Sequence, residues 1–209
     1  MNEALRRSYD TVAAEYTRRI AGELSGKPLD RALLDAFAER VRPLGRACDL
    51  GCGPGHVAGY LAERGVEVFG IDLSPGLVEE GRRLFPALEF NVGNMLALPL
   101  GNGSLGGVAA FYSLIHLSAD ERLQVLAEIR RVLVPRGLLL VAFHVGRETI
   151  HFEEWWGHAV SLDFHFLDPV KIRQDLEATG FSVEATTIRE PYDGVEHPSQ
   201  RAYLLARRT

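Results

Sequence analysis

From Arg46 onward, short apolar runs alternate with amphipathic stretches, and this rhythm restricts the fold more than any other feature of the chain. RACDLG reads as a strand, and HVAGYLAERG as a helix closed by Gly65. VEVFGIDL is a second strand, and SPGLVEEGRRLF a helix with Ser74 as N-cap and Pro75 in its first turn. LEFNVG and GGVAAFYSL follow as strands. In SADERLQVLAEIRRVL the apolar residues share one helical face, and Ser118 with Glu121 is spaced for a capping box. GLLLVAFHV is apolar enough to be buried on both sides. Strand–helix alternation of this kind predicts a parallel sheet with helices on both faces. DPVKIRQDLEATG then predicts a helix, and FSVEATTIRE and QRAYLLARR two strands. PYDGVEHPS, which joins those strands, is too short for a crossover helix, so the last strand returns antiparallel. The expectation is an α/β, doubly wound, Rossmann-like sheet of seven strands, mostly parallel with an antiparallel last strand.

Two stretches lie outside the repeat. Residues 1–45 read as a helical lid region, with Tyr9, Val12, Ala13 and Tyr16 at helical spacing, ahead of a main domain at 46–209. Residues 146–167, GRETIHFEEWWGHAVSLDFHFL, interrupt that domain as a flap holding both tryptophans. A chain of 209 residues, 46% hydrophobic and 24% charged, suits one globular domain with a lid. The 23 Lys+Arg against 28 Asp+Glu lack the basic excess of a nucleic-acid binder, so no nucleic-acid partner is expected. No apolar run reaches the roughly 18 residues of a membrane span, and MNEALRRSYDTVAAEY has no apolar targeting core. A cytoplasmic protein without a membrane partner is the resulting expectation. Cys48 and Cys52 form neither a disulfide framework nor a full zinc ligand set. His144, His151, His158 and His165 recur every seven residues, a rise of about 10.5 Å on a helix, so no metal site is expected.

Where the first strand turns into the first helix of the repeat stands Asp49-Leu50-Gly51-Cys52-Gly53-Pro54-Gly55-His56. Glycines there permit positive φ and let backbone N–H groups approach a ligand, at the sheet edge where such folds bind. Asp72 ends the second strand, where an acid can accept hydrogen bonds from both hydroxyls of a ribose. A dinucleotide fingerprint places a third glycine where His56 stands. A carboxylate at Asp49 would repel a pyrophosphate and attract an ammonium group, which favours an amino-acid-bearing nucleoside over NAD.

At these residues the chain resembles the class I S-adenosylmethionine-dependent methyltransferases. The resemblance rests on DLGCGPG, GIDLS, GNMLALPL, FYSLIHL and LAEIRRVLVPRGLLLVAF, in order, and covers residues 46–145 closely. It implies S-adenosylmethionine as cofactor, with Gly51, Gly53 and Gly55 under its methionine part and Asp49 near its amino group, capping of the next helix being the alternative for Asp49. Asp72 would take the ribose hydroxyls, Leu73 the adenine face, and Asn94 and Met95 the adenine edge, where Asn94 replaces the usual Asp. Tyr112 and Ser113 would line the methyl end, and Tyr9 and Tyr16 resemble a lid motif whose tyrosines reach the cofactor or simply pack. The expected activity is methyl transfer to a small-molecule acceptor.

If the acceptor must lose a proton, His116 beyond the fourth strand is the first candidate to take it, and His144 the second. Capping the next helix is the alternative for His116. Glu153-Glu154-Trp155-Trp156-Gly157, with Phe164 and Phe166, could hold a flat or cationic molecule, or pack on the sheet or a second subunit as a homodimer would require. Arg201 and His197 could meet an anionic acceptor, though the expectation for both is solvation at the surface. The rival functions are an NAD(P)-linked Rossmann oxidoreductase, for which no catalytic dyad is visible, and a cofactor-binding protein without catalysis.

Overall fold

The apolar runs form one sheet of seven strands in a computed structural model that describes residues 3–209. In chain order its strands are β1 (Ala47–Leu50), β2 (Val68–Asp72), β3 (Glu89–Val92), β4 (Leu105–Phe111) and β5 (Leu133–His144), then β8 (Phe181–Arg189) and β9 (Arg201–Arg208). They lie in the order β3-β2-β1-β4-β5-β9-β8. The first five pair in parallel, and β9 runs antiparallel to both β5 and β8, as the short final connection requires.

Alternate strand residues feed two apolar layers. Cys48, Leu50, Val108, Leu139 and Val141 face α5 (Ala119–Val132) and α6 (Pro169–Ala178). Ala47, Val68, Ala109, Leu138 and Leu140 face α2 (Pro28–Val41) and α3 (His56–Glu63). Val78, on α4 (Pro75–Leu84), joins the second layer. Helix starts follow their caps. Ser74 Oγ accepts from the Leu77 N–H at 3.1 Å, and the Ser118–Glu121 capping box is complete.

The flap is a β-hairpin, β6 (Thr149–Trp155) and β7 (His158–His165), which forms a sheet of its own. Trp156 and Gly157 make its turn, both at positive φ (53° and 82°), the combination that a two-residue hairpin turn demands. The N-terminal helix α1 (Glu3–Ile20) crosses between this hairpin and the sheet edge. The Ser161 N–H of β7 donates to Ser8 Oγ at 2.8 Å. At the other side Asp10 Oδ1 accepts from Ser74 Oγ at 2.6 Å and from the Gly76 N–H at 3.0 Å, which docks α1 on the first turn of α4. The first helix is therefore a lid closed over the ends of β1, β2 and β4.

Candidate active site

Between β1 and β4 the strand order reverses, and there the two strands deliver their loops to one crevice. Gly51 sits at φ 70°, and a Cβ on it would lie 2.3 Å from Ser113 Cβ, so the glycine loop presses directly on the exit of β4. Ser113 Oγ in turn donates to the Leu50 carbonyl at 2.8 Å. Gly53 donates its N–H to Asp72 Oδ2 at 2.8 Å, and Ser74 donates its N–H to Oδ1 at 2.9 Å. These bonds fix the carboxylate at the cavity wall and leave lone pairs for further donors. Burial pushes the Asp72 pKa up, against the pull of those N–H groups.

Ten of the residues singled out by sequence line this cavity: Gly51, Gly53, Asp72, Leu73, Met95, Tyr112, Ser113 and His116, joined from the lid by Tyr9 and Tyr16. Three others turn elsewhere. Asp49 is buried, and its Oδ2 accepts from the Ala58 N–H at 3.0 Å, which caps α3. Burial raises its pKa to about 7. Gly55 faces the core, where a Cβ would lie 2.4 Å from Phe90 Cζ, so its small size serves the packing of α3 on the sheet. Asn94 Oδ1 accepts from the Leu96 N–H at 2.8 Å and stabilises its own turn.

The donor set suits a ribose-bearing ligand, because an aimed carboxylate and a side-chain-free loop stand on one wall. The space is smaller than such a ligand: about 70 Å³ with the lid closed, against roughly 300–1,000 Å³ for typical ligand pockets.

Tyr9 and His116 are bonded to each other, with Tyr9 Oη 2.8 Å from Nε2. His116 Nδ1 lies 2.8 Å from the Asp163 carbonyl of β7. A carbonyl only accepts, so Nδ1 carries the hydrogen, Nε2 is bare, and the Tyr9 hydroxyl donates to it. Burial lowers the His116 pKa to about 4, and it raises that of Tyr9 well above the usual tyrosine range.

A larger chamber of about 710 Å³ adjoins the first, and Tyr9, Tyr16 and Tyr112 line both. Its aromatic wall comes from the hairpin: Trp155 and Trp156 stack at 4.2 Å between ring centroids, with Trp155 edge-on to Phe164 and to both lid tyrosines. Glu153 and Glu154 point to solvent on the hairpin's outer face, so those carboxylates do not join the rings. The polar wall holds residues that sequence reading passed over, Glu23, Lys27 and Glu196, together with His144. Arg201 corrects an expectation: it is 2% exposed, not solvated. Among the described residues no group of three or more His, Cys, Asp or Glu is placed to hold a metal ion. Among those same residues no helix is long and apolar enough to cross a membrane.

Comparison with known proteins agrees with this geometry. Residues 47–137 match the family model described as a methyltransferase domain. A demethylmenaquinone methyltransferase of Beutenbergia cavernae is 36% identical over 153 residues, which is 71% of this chain and 61% of that protein. A probable S-adenosylmethionine-dependent methyltransferase of Mycolicibacterium smegmatis is 31% identical over 169 residues, 76% of this chain and 58% of its own length. The chain thus spans about three-fifths of the length of these curated relatives. Among solved structures, the magnesium protoporphyrin IX methyltransferase of Synechocystis with bound S-adenosylmethionine superposes over the whole of both chains with TM-score 0.74 at 20% identity, a likeness of fold. The crevice at the strand reversal, the glycine loop bound to Asp72 and these matches agree in making residues 47–137 a methyltransferase domain, similar to the class I S-adenosylmethionine-dependent methyltransferases.

Proposed function

We propose that the protein transfers a methyl group to a small molecule seated in the aromatic chamber. The observation that carries this reading is the shared wall: Tyr9, Tyr16 and Tyr112 border both the glycine-loop cavity and the chamber, so two ligands would meet there end to end. S-adenosylmethionine supplies, when bound, a methyl group already activated on a sulfonium sulfur. The protein's task is alignment and exclusion of water.

Asp72 accepts the ribose hydroxyls through the lone pairs that Gly53 and Ser74 leave free. Leu73 and Met95 provide the apolar wall for the base, while Gly51 and Gly53 admit the amino-acid part. Asp49, Gly55 and Asn94 support that site from behind, through α3, Phe90 and the turn after β3. Tyr112 and Ser113 set the distance between the two ligands. His116 acts as a positioning residue: with Nε2 occupied by Tyr9, it fixes the tyrosine hydroxyl at the donor end of the site. The small-molecule character of the acceptor is supported by the size of the chamber, about 710 Å³, and by relatives whose names denote demethylmenaquinone and magnesium protoporphyrin methylation.

Calorimetric titration with S-adenosylhomocysteine, on the unaltered chain and on Asp72→Ala, tests the donor half. Loss of the charged acceptor should weaken binding by about 1.5–3 kcal/mol. Absence of binding to the unaltered chain, or equal binding to the variant, would overturn the assignment.

A further inference from the structure

We propose that the aromatic chamber takes a flat aromatic carboxylate. This deepens the methyl-transfer reading and rests on it for the identity of the second ligand. Two features of the chamber carry the inference: a ring-lined wall that suits a planar body, and a polar end where Arg201 is not fully satisfied.

The preference for a planar guest comes from the rings. Trp155 meets Tyr9, Tyr16 and Phe164 edge to face, at 6.1, 5.8 and 5.4 Å between centroids. Rings held this way offer faces and edges to a guest ring, the arrangement that aromatic pairs prefer.

The charge requirement comes from counting partners at the polar end. Glu23 and Glu196 are the carboxylates on the chamber wall, and both are engaged. Glu23 receives Lys27 Nζ at 2.7 Å and lies 3.3 Å from His56 Nε2. Glu196 is bound by Arg189 through both terminal nitrogens and accepts from the Tyr192 N–H at 2.8 Å. Arg201 is less well served. Its Nη1 donates to the Ser199 carbonyl and hydroxyl, its Nη2 is 3.5 Å from Glu196, and its Nε has no partner although the residue is 2% exposed. A buried guanidinium with idle donors is costly unless a ligand completes it, and its planar fork matches a carboxylate. His144, beside it on the same wall, has its pKa driven down to about 3 by burial and then by Arg201, His197 and Lys27, as a positive pole would do. A cationic guest would meet that pole with no free carboxylate to receive it, since Glu153 and Glu154 face outward.

The chain contains two tryptophans, and both line the chamber, so their fluorescence reports its occupancy directly. Titration of the unaltered protein with cinnamate, cinnamamide and cinnamylamine compares one planar body with an anionic, a neutral and a cationic head. The expected result is quenching by cinnamate with at least tenfold tighter binding than the amide, and the amine weakest. Arg201→Met should bring the acid and the amide to the same affinity. The comparison on the unaltered chain stands by itself if that variant does not fold. Equal binding of acid and amide, tighter binding of the amine, or no quenching by any of the three would overturn the proposal. S-adenosylhomocysteine titrated in parallel separates the two readings: its failure to bind removes the methyl-transfer assignment, whereas failure of the aromatic series removes only the acceptor class.

Discussion

The lid makes a quantitative prediction. With α1 seated, the glycine-loop cavity holds about 70 Å³, so outward movement of α1 is expected to speed ligand entry. Asp10 is the main polar tie between α1 and α4, accepting from Ser74 Oγ at 2.6 Å and the Gly76 N–H at 3.0 Å. Hydrogen bonds to a charged group contribute about 1.5–3 kcal/mol each, and partial solvent access places these at the lower end. When the lid lifts, water takes over part of both bonds, so Asp10→Ala should shift the balance toward the open state by about 2–3 kcal/mol. The loss of the Arg6–Asp10 pair within α1 is a few tenths of a kcal/mol, and the higher helix propensity of alanine offsets it. At 1.4 kcal/mol per factor of ten, the open fraction rises roughly 30- to 150-fold. Amide hydrogen exchange reads this directly: protection of the α1 amides should fall by that factor while β4 and β5 keep theirs. S-adenosylhomocysteine should also associate faster in proportion to the open fraction. If α1 protection stays within twofold of the parent, with unchanged far-ultraviolet circular dichroism, the reasoning about Asp10 is refuted.

Other outcomes follow from the same geometry. Asp30 is fully buried and accepts from Arg189 Nη2 and the Tyr203 hydroxyl, both at 2.8 Å; Asp30→Ala should destabilise by about 3–5 kcal/mol in urea unfolding, and a loss below about 1 would contradict the pairing. Gly55→Ala puts a methyl group 2.4 Å from Phe90 at φ 81°, so a lowered melting temperature with weaker S-adenosylhomocysteine binding is expected. His116 stays neutral to about pH 4 in the folded chain, against 6.5 for the free side chain. The unfolded chain therefore binds the extra proton between those values, and this histidine's contribution is intact above 6.5 and lost as pH falls toward 4. Asp49, raised from 3.8 to about 7, acts with the opposite sign over the whole of that range, so the comparison must be with His116→Gln, which should show a shallower loss of stability between pH 6.5 and 4. Nuclear magnetic resonance titration of the ring with a midpoint near 6.5 would contradict the burial argument.

The strands of the main sheet were legible because each is apolar and bounded by glycine, proline or a capping serine, and the antiparallel return followed from the short link alone. The hairpin was hidden by its own irregularity. Ile150, Phe152, Val160, Leu162 and Phe164 do alternate with exposed residues, but the register shifts between Phe152 and Glu154, and the alternation breaks at Glu153-Glu154. The Trp-Gly turn was the usable signal. Asp72 could be read because its position at a strand end dictates its direction. Asp49 could not, since a carboxylate before the loop can face either the ligand or the next helix, and the free Ala58 N–H decides. Lys27 and Arg201 escaped because the partners that keep them buried, above all Glu196, come from remote parts of the chain. Nothing local distinguishes such residues from solvated charges.

The closing contacts at the hairpin have a consequence for how this molecule can vary. Lid and site reach β7 through its main chain: Ser8 Oγ takes the Ser161 N–H, and His116 Nδ1 gives its hydrogen to the Asp163 carbonyl. The hairpin side chains that wall the chamber take no part in those bonds. Exchange of Phe152, whose ring packs on Trp155 and Phe164 of the hairpin itself, can therefore reshape the guest space while these hydrogen bonds close as before, whereas Phe164 also packs on His116 and Trp156 on Tyr16 and Arg19 of α1. In this arrangement a library at Phe152 would vary the guest space with the α1 contacts held constant, whereas one at Phe164, Trp155 or Trp156 would vary both together.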